Sequence, residues 1–106
     1  MAWRDVASVA DGLRAQPWLA LDSRKLGGRD VVLAAVDGTW YGVENRCTHA
    51  LCAFTEDASL EGAVIVCNCH GSEFDIRSGA VVRGPADRSI RTFRVRVSGD
   101  RLQVDV

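Results

Sequence analysis

The sequence predicts an all-β fold built from many short antiparallel strands. Two observations carry this expectation. Short apolar segments rich in β-branched residues alternate with Gly, Asp and Ser, the pattern of strands separated by tight turns. Asp37-Gly38 stands between two such segments, and an Asp-Gly pair at that spacing supplies the left-handed backbone that a two-residue hairpin needs.

In chain order, residues 18–21, 31–36 and 39–43 read as strands, the last two joined at Asp37-Gly38. Residues 63–66 form the next strand after a turn at Glu61-Gly62. Residues 74–76 and 80–82 flank Arg77-Ser78-Gly79, and residues 92–97 and 102–106 flank Ser98-Gly99-Asp100, which gives two further hairpins. Phe93, Val95 and Val97 alternate with Arg94 and Arg96, so one face of that strand turns inward and its arginine face turns to water. Residues 7–15 and 50–58 lack a clean 3.6-residue apolar stripe and read as loop or a single turn. Asp11-Gly12 and Gly27-Gly28 read as turns, and Trp3, Trp18 and Trp40 as packing residues.

A chain of 106 residues fits one domain, residues 1–106, with a modest core and no room for a separate substrate-binding domain. Thirteen Lys+Arg against fourteen Asp+Glu leave a net charge of −1, which excludes a global basic field for nucleic acid or an anionic membrane. No apolar run reaches membrane-spanning length, and Met1-Ala2-Trp3-Arg4-Asp5 lacks the basic and hydrophobic regions of a secretory signal. A cytoplasmic location without a membrane anchor is therefore expected.

The chemistry is concentrated in one stretch. All four cysteines and both histidines lie between residues 47 and 70, as Cys47-Thr48-His49, Cys52 and Cys67-Asn68-Cys69-His70. Two short-spaced Cys/His pairs suit a metal or cluster site built from two loops. Zinc would accept two thiolates and two imidazoles, but zinc fingers group Cys with Cys and His with His, whereas each loop here supplies one of each. Mixed pairing suits a two-iron cluster with both thiolates on one iron and both imidazoles on the other. A structural zinc module remains the alternative that spacing leaves open.

Cys-x-His followed after seventeen residues by Cys-x-x-His resembles the Rieske family. The likeness extends to Gly71-Ser72, to Phe74-Asp75 with Ser78-Gly79, and to Gly84-Pro85-Ala86, which resembles the family's proline-containing loop over the cluster. This resemblance implies a Rieske fold: an antiparallel β-sandwich with a small cluster-binding subdomain over about residues 45–86. It implies one [2Fe-2S] cluster held by Cys47, His49, Cys67 and His70, with the cysteines inward and the histidines at the surface. Two neutral imidazoles in place of two thiolates leave the cluster less negative and raise its potential. Backbone amides around Gly71 and Ser72 are expected to face the sulfurs, and Pro85 to shield the site.

Cys52 and Cys69 match positions where the high-potential Rieske subunits of cytochrome complexes carry a disulfide, and the resemblance implies that pairing here. Ser72 matches a serine that donates to a cluster sulfur in those proteins. Phe74 replaces their tyrosine and Leu51 their usual glycine. Short Rieske chains also resemble the ferredoxin component of aromatic-ring-hydroxylating dioxygenase systems. That likeness implies a monomeric one-electron carrier between a flavin-dependent reductase and a terminal oxygenase, which docks at the tip bearing His49 and His70, with Ala50, Leu51 and the loop of Gly84-Pro85-Ala86 around them. No histidine remains for a mononuclear iron site, so the chain is not expected to be an enzyme. A Rieske-type small subunit of a larger redox enzyme, such as nitrite reductase, is the runner-up.

Overall fold

Asp37 and Gly38 both take left-handed φ, 51° and 79°, and close the hairpin that the sequence signals. The strands they join, β3 (Val31–Val36) and β4 (Thr39–Glu44), pair antiparallel from Val31 opposite Glu44 to Val36 opposite Thr39. The structure, a computed structural model, describes residues 2–48 and 52–106. Before this hairpin come β1 (Trp3–Ser8), α1 (Val9–Arg14) and β2 (Leu19–Ala20). After it come α2 (Phe54–Asp57), β5 (Ala58–Glu61), β6 (Val64–Cys67), β7 (Glu73–Asp75) and β8 (Val81–Arg83). The chain closes with β9 (Thr92–Phe93), β10 (Val95–Ser98) and β11 (Arg101–Asp105).

Three antiparallel sheets result, in the orders β1-β11-β10, β2-β3-β4-β9 and β5-β6-β7-β8. The second sheet is the shared wall. Val31 and Leu33 of β3 pack with Trp40, Phe93, Leu102 and Val104 on one side. Val32 and Ala34 pack with Phe54, Ile65, Phe74 and Ile76 on the other. A strand buried on both faces has no polar side to present, which is why residues 31–36 read as an unbroken apolar run. The third sheet lies against that second core and carries one of the two Cys/His loops.

The sequence reading needs correction at four places. β1 and β5 were not expected, because Trp3–Ser8 and Ala58–Glu61 show little apolar alternation; pairing with β11 and β6 holds them in place. Residues 92–97 are not one strand: the run breaks at Arg94, sending β9 to β4 and β10 to β11. Residues 9–14 are helical, with the Ser8 side chain accepting from the Asp11 amide at 3.0 Å as N-cap. Gly12 is therefore not a turn residue. A Cβ there would lie 2.6 Å from Trp40 Cη2 and 2.9 Å from Leu102 Cδ1, so glycine is what lets α1 approach the core. Arg94 and Arg96 turn outward as expected, stacked 5.4 and 4.2 Å from the Trp3 ring centroid, but Val97, expected to turn inward, is 51% exposed.

Candidate metal centre

The second Cys/His loop is the turn between β6 and β7. Cys67 ends β6, its amide donates to the Ser72 carbonyl at 2.8 Å, and the Gly71 amide donates to the Cys67 carbonyl at 2.9 Å. Gly71 has φ of 84°, a conformation that strains residues with a Cβ. The first loop leaves β4 and returns into α2, with the Cys47 amide donating to the Cys52 carbonyl at 2.9 Å. A disulfide between Cys52 and Cys69 joins the two loops, with Cα atoms 6.7 Å apart.

Cys47 and Cys67 are the two free thiols, exposed by only 2% and 1%. Burial raises the Cys67 thiol above its ordinary range; the Cys69 and His70 amides pull it down, and the neighbouring Cys47 pushes it up again. A cation bound at these sulfurs would take the place of the thiol protons. The sulfurs of Cys52, Cys67 and Cys69 all lie within 4.8 Å of one another, so the bridge packs directly on a thiol of the pair. His70 is exposed. His49, Ala50 and Leu51 fall outside the described residues.

Of the supporting residues expected around the site, Ser72 is fully buried and its Oγ accepts from the Ala86 amide at 3.0 Å. That leaves the hydroxyl proton to donate elsewhere. The Gly71 amide is engaged by the Cys67 carbonyl, and the amides that reach the Cys67 sulfur are those of Cys69 and His70. Pro85 is exposed and Ala86 buried. Thr48 Oγ1 donates to the Arg88 carbonyl at 2.6 Å, so this loop is tied to both Cys/His loops.

Sequence reasoning read Trp18 as a packing residue and named Phe74, but it missed Phe54 and the floor that the three rings make together. Phe54 and Phe74 are fully buried with ring centroids 6.0 Å apart. Trp18 stacks on Phe54 at 6.2 Å, and its Nε1–H donates to the Ala58 carbonyl at 3.2 Å. Ala58 is the strand partner of Cys67. Asn45, two positions before Cys47, was also missed; it is a buried amide at the base of the first loop.

Two buried soft donors, amides aimed at one of them and an exposed imidazole fit an iron–sulfur centre of mixed ligation. The Rieske [2Fe-2S] domain model matches residues 3–94. The chain belongs to this family and carries its [2Fe-2S] cluster, which removes the zinc alternative. It is 34% identical over 79 residues to the ferredoxin component of the naphthalene 1,2-dioxygenase system of Pseudomonas aeruginosa, covering 74% of this chain and 75% of that one. It is 32% identical over 80 residues to the ferredoxin component of biphenyl 2,3-dioxygenase of Rhodococcus jostii, covering 76% and 74%. Among solved structures it resembles the Sphingomonas yanoikuyae B1 ferredoxin, with a TM-score of 0.83 at 26% identity and 99% of both chains covered. The complex of reduced oxygenase and oxidized ferredoxin in carbazole 1,9a-dioxygenase also matches, with a TM-score of 0.82 at 26% identity, covering 96% of this chain and 91% of that one.

Proposed function

We propose that this chain is a soluble one-electron carrier, a single Rieske domain that takes electrons from a flavin-dependent reductase and delivers them to a terminal ring-hydroxylating oxygenase. The observation that supports it best is the asymmetry of the site: Cys47 and Cys67 are buried while His70 is exposed. Cys47 and Cys67 would hold one iron, and His49 and His70 the other, the cluster supplying reversible one-electron redox chemistry when bound. An exposed imidazole edge gives an electron a short way out to a docked partner. Burial of the thiols keeps water from that side, and the amides of Cys69 and His70 offset negative charge on Cys67.

Similarity to a ferredoxin found in complex with an oxygenase supports the partner, and the exposure of His70 favours docking of that partner at the His-bearing tip. The similar proteins are named as ferredoxin components of dioxygenase systems, which favours a freestanding carrier over a fixed nitrite reductase subunit. The reading includes a monomer working in the cytoplasm; among the described residues no helix is long and apolar enough to cross a membrane. The test is reconstitution with a flavin-dependent reductase and a terminal ring-hydroxylating oxygenase. Product formation should depend on this chain and saturate with it; turnover at equal rate without it would refute the role. Co-elution with a large subunit throughout native purification would instead favour the fixed-subunit reading.

A further inference from the structure

We infer that Asn45 is the positioning residue of the first cluster loop: its side chain caps α2 from across the loop and so fixes both cluster loops through that helix. The inference rests on the Rieske reading of the site. A helix start leaves its first amides without partners inside the helix, and a side-chain oxygen at the N-cap ordinarily accepts from one of them. The N-cap of α2 is Ala53, which has no such oxygen and makes no side-chain cap bond. Asn45 Oδ1 accepts from the Thr55 amide at 3.1 Å in its place, and Asn45 Nδ2 donates to Thr55 Oγ1 at 3.1 Å. The two bonds use one acceptor and one donor of the amide, which is 8% exposed.

What this clamp holds follows from its neighbours. The Asn45 amide donates to the Asp30 carbonyl at 2.9 Å, anchoring the residue to the loop that enters β3. Inside the closure from 45 to 55 lies the bond from the Cys47 amide to the Cys52 carbonyl. At the far end of α2 the Asp57 carbonyl accepts from the Asn68 amide at 2.6 Å. Asn68 stands between Cys67 and Cys69, so α2 bridges the two loops and Asn45 pins the start of that bridge. Phe54, the first residue of α2, is fully buried against Phe74, and tilting the helix would disturb that floor.

The test compares holoprotein carrying Asn45→Ala, Thr55→Val or Thr55→Ser with the unmutated chain. The readouts are the EPR spectrum of the reduced state, the reduction potential and the rate of iron loss to a chelator. Asn45→Ala leaves the Thr55 amide without an acceptor and should speed iron loss about tenfold, the effect of one lost buried hydrogen bond, with shifted or broadened g values. Thr55→Val keeps the amide bond and should show a smaller change of the same kind, and Thr55→Ser should restore the original spectrum. Unchanged EPR, potential and iron loss in Asn45→Ala would overturn the inference, as would a lowered melting temperature with all three unchanged. Should Asn45→Ala not fold, Thr55→Val decides on the same terms. An unmutated chain without a Rieske EPR signal would overturn the family reading and this inference together.

Discussion

Replacing Cys52 and Cys69 together by alanine removes the bridge between the two cluster loops while leaving the thiols of Cys47 and Cys67 in place. The two residues are 17 apart in sequence, and closing a loop of that length lowers the entropy of the unfolded chain enough to stabilise the fold by about 3 kcal/mol. Both cysteines also pack against the core that contains Phe54 and Phe74, but alanine keeps the Cβ atoms, so the lost contacts add little. For a domain of this size about 3 kcal/mol corresponds to roughly 15 °C in midpoint. The assay is thermal unfolding of holoprotein at one fixed scan rate, followed by visible absorbance for the cluster and far-ultraviolet circular dichroism for the backbone. The double variant should lose both signals about 15 °C earlier than the unmutated chain. A shift below about 3 °C would refute loop closure as the bridge's contribution. Thiol counting on denatured, metal-free protein under non-reducing conditions is the companion measurement, with two reactive thiols expected.

Gly79→Ala should destabilise the fold by about 3 kcal/mol or more, because Gly79 has φ of 79° and a Cβ there would lie 2.3 Å from the Ile90 carbonyl oxygen; chemical denaturation showing less than 1 kcal/mol, the size of an ordinary surface change, would contradict the close approach. His70→Cys puts a thiolate on the iron that the imidazoles would otherwise hold and should lower the potential by on the order of 100 mV or more if the cluster assembles; an intact cluster at unchanged potential would remove His70 from the ligand set. Asp75 is held below the usual carboxylate range, first by the Arg77 side chain and then by the Arg77 amide, which donates to Asp75 Oδ1 at 2.8 Å. A carboxylate with a depressed folded pKa stabilises above its unfolded pKa and loses that contribution as pH falls through the folded value. Asp75→Asn should therefore flatten the fall in stability below about pH 4, and an acid-unfolding curve identical to that of the unmutated chain would show that the pair contributes nothing.

The ligand pattern could be read from the sequence because each element of it is local. Cys47 and His49 are two residues apart, Cys67 and His70 three, and the chemistry of mixed soft and imidazole donors constrains spacing within a loop. The hairpin at Asp37-Gly38 was legible for the same reason, since left-handed φ at two adjacent positions selects those residues. The strand β3 was legible because burial on both faces removes every polar position from it.

Tertiary structure decided what depends on partners distant in sequence. β1 becomes a strand because β11, about a hundred residues away, offers it a free edge. Position 12 takes glycine because Trp40 and Leu102 crowd α1 there. The break at Arg94 follows from two sheets competing for consecutive residues, with the Arg94 carbonyl accepting from the Asp105 amide at 2.9 Å. Asn45 carries no motif that marks it; only folding brings it to the uncapped start of α2. Residues within a few positions can declare ligands and turns, because covalent geometry already fixes their spacing. The supports beneath the site come from Trp18, Asn45, Phe54 and Phe74, and their relation exists only once the sheets have packed.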